Sequence, residues 1–242
     1  MTRRAVLVTG ASRGIGRAVA EAFAALGDRV AMHYNATPIG YELPGDGHVT
    51  VRGDVQDPDA VQSFVDAAAE GLGGLDVVVN NAAVFPPHPV RETSYVDWQA
   101  AWRETLAVNL VGPANVCWCA ARHLKRGGRI VNVSSRGAFR GEKSQPAYGA
   151  SKAGLNSLTQ SLALALGPDG IAVTAVAPGF VETDMANEAL KSPRGPEIRA
   201  QSPFNRVAQA DEVAAAVVYL ASPQAEWASG AILDLNGASY LR

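Results

Sequence analysis

Ala5-Val6-Leu7-Val8-Thr9-Gly10-Ala11-Ser12-Arg13-Gly14-Ile15-Gly16 carries a short apolar run straight into a glycine-rich turn. Beyond it, Ile15, Ala18, Val19, Ala22, Phe23 and Leu26 recur at helical spacing until Gly27 stops the pattern. The stretch therefore reads as strand, tight turn and helix. Glycines in such a turn let the backbone approach a phosphate closely, and the helix N-terminus adds unpaired N–H groups and a partial positive charge. The spacing is G-x3-G-x-G rather than the usual G-x-G-x-x-G, so its place between a strand and a helix carries the reading. It makes Gly10, Ser12, Arg13, Gly14, Ile15 and Gly16 the candidate phosphate cradle.

The same rhythm continues outward. Apolar, β-rich runs at 5–8, 29–34, 48–51, 76–79, 129–133, 171–176 and 231–235 alternate with helical patterns at about 57–71, 94–124, 147–167 and 210–221. Continuous apolar strands are buried on both faces, so the alternation predicts an α/β fold with a parallel sheet covered by helices on each side. Gly112-Pro113 predicts a kink or break in the 94–124 helix. No repeat or linker divides the chain, so residues 1–242 are expected to form one domain. Two stretches interrupt the rhythm. Residues 35–47 hold two prolines and three glycines where a crossover helix belongs, so that helix should be missing. Residues 182–206 carry Pro193, Pro196 and Pro203 and read as a long substrate loop with one short helix.

Composition narrows the function classes. The chain has 242 residues, 48% hydrophobic and 18% charged, with a net charge of -2, which suits a folded globular protein. No run reaches the roughly 18–20 apolar residues of a membrane span, and the run after Arg3 and Arg4 is too short for a signal-peptide core. Near-neutral charge without a basic block points away from nucleic acid and anionic membranes. Cys117 and Cys119 read as reduced packing residues of a cytoplasmic protein. His33, His48, His88 and His123 have no ligand spacing, so no metal is expected.

The second strand ends His33-Tyr34-Asn35, without the carboxylate that would hold a ribose 2′-hydroxyl and repel a 2′-phosphate. With Arg13 in the cradle, this favours NADP(H) over NAD(H) and places Asn35 at the 2′ position. Asp54 and Val55 follow the third strand, where Asp54 serves either the adenine or the start of a helix. Tyr148 and Lys152 are four apart at the start of a helical segment and so share a face. A phenol with pKa near ~10 needs a neighbouring cation to become a proton carrier, and hydride delivery to a carbonyl needs such a carrier. Ser134-Ser135 follow a buried strand, where open α/β sheets place their ligands.

At this point the sequence resembles the short-chain dehydrogenase/reductase family over nearly its whole length. Thr9–Gly16 is similar to its glycine-rich motif. Asn80-Asn81-Ala82-Ala83 resembles its Asn-Asn-Ala-Gly motif, with Asn81 and Ala82 as cofactor neighbours. Asn109 in Val108-Asn109-Leu110 matches its helix asparagine; Ser135, Tyr148 and Lys152 match its serine, tyrosine and lysine, Ser135 being chosen for its distance from the tyrosine. Pro178-Gly179-Phe180-Val181-Glu182-Thr183 resembles its proline-glycine motif, with Pro178, Gly179, Val181 and Thr183 near the nicotinamide.

The resemblance implies a Rossmann-like, doubly wound sheet of seven parallel strands flanked by helices. It implies Tyr148 as general acid/base, Lys152 holding the ribose and lowering the tyrosine pKa, Ser135 positioning the carbonyl, and Asn109 holding a relay water. Within the family the likeness is to 3-oxoacyl-acyl-carrier-protein reductase-like members, which are commonly homotetramers. A homotetramer or homodimer is therefore expected, paired through the last helix and strand. Val213, Val217 and Leu220 would suit that interface or would be buried in the monomer. Ala83 replaces the motif glycine. Asp169 stands where a basic residue is common, which argues against docking an acidic carrier protein.

The expected activity is interconversion of a ketone and a secondary alcohol with NADP(H), acting on a small molecule. The alternatives are an NAD-dependent sugar, polyol or cyclic-alcohol dehydrogenase and a regulatory nucleotide-binding protein without turnover. Residues 84–89 are expected to form a rigid wall near the site. Arg136, Arg140, Glu142 and Lys143 read as solvated charge rather than an anion site, and Trp98 with Trp102 as core or interface.

Overall fold

The computed structural model describes residues 3–242. Its strands are β1 (Ala5–Val8), β2 (Arg29–Tyr34), β3 (Val49–Arg52), β4 (Leu75–Asn80), β5 (Leu124–Val133), β6 (Ala172–Pro178) and β7 (Ile232–Leu235). They form one seven-stranded sheet in the order β3-β2-β1-β4-β5-β6-β7, with every pairing parallel. The order reverses between β1 and β4, and that switch point opens a crevice at the C-terminal strand ends.

The helices are α1 (Gly14–Ala25), α2 (Pro58–Leu72), α3 (Tyr95–Leu106), α4 (Gly112–Ala121), α5 (Gly137–Arg140), α6 (Pro146–Leu166), α7 (Asp184–Lys191), α8 (Gly195–Ala200) and α9 (Ala210–Leu220). Two apolar layers enclose the sheet. Ala5 and Leu7 of β1 pack with α2 and α4 on one face, while Val6 and Val8 pack with α1 and α9 on the other. A strand buried twice has no polar face to alternate with, which explains the continuous apolar runs.

Several expectations are refined. β5 begins at Leu124, not 129, because Leu124 pairs with Leu75 across a register shift. The 94–124 helix does not break: before Gly112-Pro113 a π-helical turn over Ala107–Val111 joins α3 to α4 without a gap. Pro113 then sits in the first turn of α4 and offers no N–H to the preceding π-helical turn. The 35–47 stretch holds no helix; Ile39, Tyr41 and Leu43 instead pack onto the α1 side, and the Tyr41 hydroxyl donates to Ala11 O at 2.7 Å. The 182–206 stretch holds two short helices, α7 and α8, because Ala186, Leu190, Ile198 and Val207 bury a small apolar cluster of their own.

Val213, Val217 and Leu220 are buried in the α1–α9 layer of the monomer and so cannot form an exposed interface. Cys117 and Cys119 are buried and unbridged. Among the described residues, no helix is long and apolar enough to cross a membrane.

Candidate active site

A cleft of about 510 Å³ runs along the C-terminal strand ends. At one end lies the β1–α1 turn. Gly10 and Gly14 have φ of +66° and +56°, a region where a side chain would be strained. A Cβ on Gly16 would stand 2.2 Å from Gly10 O, so the turn closes only without one. The α1 N-terminus has no side-chain cap and no acid in its first turn, whereas α2 is capped by Asp57, which accepts from Asp59 N and Ala60 N. The uncapped N–H groups of α1, with Gly14 and Ile15 lining the cleft, fit a nucleotide's phosphates.

A scaffold of hydrogen bonds holds this turn. Thr9 Oγ1 accepts from Asn81 N (2.9 Å) and Ala82 N (3.1 Å), and Asn81 Nδ2 donates to Thr9 O and Gly10 O. His33, whose role the sequence reading missed, accepts Gly10 N on Nδ1 at 3.2 Å and donates from Nε2 to Gly53 O at 3.0 Å. Its ring lies 4.2 Å from Phe64, and burial holds its pKa down to about 4, so it remains neutral. The only sequence signal was a histidine within an otherwise apolar strand.

Ser12, Arg13, Asn35, Asp54 and Val55 line this end of the cleft. Asp54 accepts from Gln56 N in a local turn, and Asp57 caps the helix, which settles the alternative raised for Asp54 against the helix-start role. Arg17 pairs with Glu21 and lies over Tyr41; Arg13 makes no ion pair or side-chain hydrogen bond among the described residues.

At the other end, Ser135 follows β5, and α6 presents Tyr148 and Lys152 one turn apart. Lys152, 3% exposed, donates to Val133 O at 2.7 Å, with its Nζ 5.7 Å from the centre of the Tyr148 ring. The Phe85 ring meets Tyr148 edge-on at 4.5 Å. Burial pushes the Tyr148 phenol up to about 12, against a hydrogen bond from Ser135 that lowers it, while the Glu142 carboxylate raises it further. Burial brings Lys152 down to about 7. The net direction for Tyr148 in this chain is upward, because desolvation outweighs the Ser135 hydrogen bond. Tyr148 stands protonated at neutral pH.

Asn81, Ala82, Pro178, Gly179, Val181 and Thr183 complete the walls between the two ends. Gly16 and Asn109 stand behind the lining. Asn109, fully buried in the π-helical turn, accepts from Val84 N and donates to Val84 O and Ser151 Oγ. The charged loop is only partly the solvated cluster expected: Arg140 and Lys143 are exposed, whereas Arg136 is buried and Glu142 half-buried. Arg136, 3% exposed, donates to Ser239 Oγ and Gln201 Oε1, and Arg140 reaches both Gln201 and Glu142. The Trp98 and Trp102 rings meet at a tilt of 46° with centres 5.8 Å apart, half-buried and away from the cleft lining. Among the described residues, no three His, Cys, Asp or Glu side chains gather as a metal site requires.

Comparison with known proteins agrees with this geometry. Residues 10–237 match the family model described as enoyl-(acyl carrier protein) reductase. The chain is 38% identical to an L-rhamnose 1-dehydrogenase (NAD(P)(+)) of Azotobacter vinelandii, covering 98% of this chain and 97% of that one. It is 34% identical to a 3-oxoacyl-[acyl-carrier-protein] reductase of Vibrio cholerae, covering 98% of each. The fold superposes with a TM-score of 0.87 on a short-chain dehydrogenase of Burkholderia cenocepacia solved in complex with NADP, 35% identical over 98% of this chain and 97% of that one. A glycine-rich turn joined by one cleft to a serine, a tyrosine and a lysine, in a chain matched along nearly its whole length, belongs to an oxidoreductase of the short-chain dehydrogenase/reductase family.

Proposed function

We propose that the chain interconverts a ketone and a secondary alcohol with NADP(H). The observation that carries this reading is the meeting of Ser135, Tyr148 and Lys152 at the far end of a cleft that begins in a phosphate cradle. A nicotinamide held in the cleft would supply the hydride for reduction and accept it in oxidation. Tyr148, protonated at neutral pH, donates its phenolic proton to the carbonyl oxygen as negative charge develops there, while Ser135 hydrogen-bonds that oxygen. In oxidation Tyr148 would first release its own proton to solvent and then, as phenolate, take the proton of the alcohol. Lys152 would hold the nicotinamide ribose. Asn109 has both side-chain N–H groups engaged, so a relay water would use its main-chain carbonyl or the second lone pair of Oδ1.

The preference for NADP(H) rests on the unpaired Arg13 beside Asn35, with no acid closing β2. A second reading, a sugar or polyol dehydrogenase, is favoured by Glu142. Its side chain, 17% exposed in the cleft with one loose ion pair at 3.6 Å, would accept substrate hydroxyl hydrogens. Assembly into a homotetramer or homodimer would use the exposed Tyr219, Trp227 and Leu233 in place of the buried α9 face; sedimentation of the wild type tests this, and a monomer rejects it.

The decisive experiment follows NADPH and NADH consumption over a panel of ketones, ketoses and acetoacetyl thioester, with Tyr148→Phe alongside. Turnover with NADPH that Tyr148→Phe abolishes, at unchanged cofactor affinity, is the expected result. Turnover retained by Tyr148→Phe rejects the proton-carrier role.

A further inference from the structure

His88 is fully buried, yet none of its hydrogen bonds reaches the sheet. Its main-chain N donates to Ser144 O at 2.8 Å, its Nδ1 lies 2.8 Å from Pro86 O, and its Nε2 lies 3.0 Å from Ala147 N. These partners define the tautomer. Pro86 O can only accept, so Nδ1 carries the hydrogen; Ala147 N can only donate, so Nε2 presents a lone pair. Ala147 sits in the first turn of α6, immediately before Tyr148, and that helix has no side-chain cap from its own N-cap residue, Gln145. The imidazole therefore supplies, from a distant loop, the acceptor that the buried start of α6 lacks.

The loop bearing His88 is pinned at a second point, where Asn109 brackets both the N–H and the C=O of Val84. Between the two pins, Phe85 sets its ring edge-on against Tyr148 at 4.5 Å. Pro86, Pro87 and Pro89 stiffen the span, and Trp98 closes over the outer side of the imidazole at 5.5 Å.

We infer that His88 is a positioning residue: by capping α6 at Ala147 and tethering the Val84–Pro89 segment, it holds Tyr148 between Phe85 and Ser135 in the orientation that proton transfer needs. This rests on the proposed role of Tyr148. Freed of the cap, the first turn of α6 frays, and a phenol displaced by even an ångström loses its line to the carbonyl oxygen. The cradle lies at the opposite end of the cleft and is held by Thr9, Asn81 and His33, so cofactor binding does not depend on His88.

Two polar variants separate the functions of the ring. His88→Gln retains an acceptor at the reach of Nε2, whereas His88→Asn keeps only a donor near Nδ1. The expected result is a fall in kcat of about ten-fold or more for His88→Asn, with NADPH affinity unchanged, and recovery towards wild type in His88→Gln. Wild-type kcat in His88→Asn overturns the inference, as does a loss in both variants with no rescue, or a parallel loss of NADPH affinity. The wild type provides a test that needs no variant. Its imidazole nitrogen chemical shifts should report the neutral Nδ1–H tautomer, with a scalar coupling across the hydrogen bond to Ala147 N; the other tautomer, or an imidazolium at neutral pH, overturns it. A Tyr148→Phe variant that turns over normally defeats the Tyr148 role and this inference together. An inactive Tyr148→Phe beside an unaffected His88→Asn defeats this inference alone.

Discussion

Lys152→Met should make the protein more stable in acid and at neutral pH while abolishing its turnover. Lys152 is buried, and burial alone lowers its pKa from 10.5 to about 7. That fall corresponds to about 5 kcal/mol of cost for keeping the ammonium in the folded chain at low pH, at ~1.4 kcal/mol per tenfold change. The variant also gives up the charged hydrogen bond to Val133 O, which offsets about 1.5–3 kcal/mol of the gain. A net stabilisation of about 2 kcal/mol at pH 6 remains, or roughly 4–8 °C in Tm for a chain of this size. The folded state binds the Lys152 proton more weakly than the unfolded state does. Wild-type stability therefore rises with pH between about 7 and 10.5, and the advantage of the variant fades across that window. Denaturant unfolding of both proteins without cofactor, at pH 6, 8 and 10, measures the difference. A variant less stable than wild type at pH 6, or a gap that does not shrink by pH 10, would refute the desolvation argument.

Gly16→Ala sets helix propensity against sterics. Propensity alone favours alanine by about 1 kcal/mol, but its Cβ would lie 2.2 Å from Gly10 O and 2.4 Å from Asn81 Nδ2, so NADPH affinity should drop by about ten-fold or more through distortion of the turn; wild-type affinity by fluorescence titration would contradict this. Arg13→Ala should raise the Kd for NADPH about ten-fold, the worth of one charged hydrogen bond, and leave that for NADH unchanged. Equal effects on both cofactors would remove Arg13 from the 2′-phosphate. His33, held at about 4 against an unfolded value near ~6.5, contributes stability that is complete above the unfolded value and is lost as pH falls through that window to about 4. His33→Gln should flatten this acid limb in urea melts, and an unchanged slope would show that His33 is not the group responsible.

The chain's local chemistry determined much of this protein. The β1 and β2 boundaries could be read directly, because a strand buried on both faces leaves an unbroken apolar run ended by a turn residue. The glycine turn between β1 and α1 and the one-turn spacing of Tyr148 and Lys152 were equally legible, since each lies within a few residues. The family resemblance supplied Asn109 and chose Ser135, but not what Asn109 holds. Tertiary structure alone decided the rest. It gave His33 to Gly10 and Gly53, Asn109 to Val84, and His88 to Ala147, partners up to 59 residues away. It buried Arg136 among Gln201, Phe180 and Ser239, where the local sequence suggested only a charged surface loop. It also raised the Tyr148 pKa by burying the phenol. The division has one physical reason: propensity, periodicity and turn chemistry act over neighbouring residues, whereas desolvation and hydrogen-bond partners are set by whatever the folded chain brings alongside.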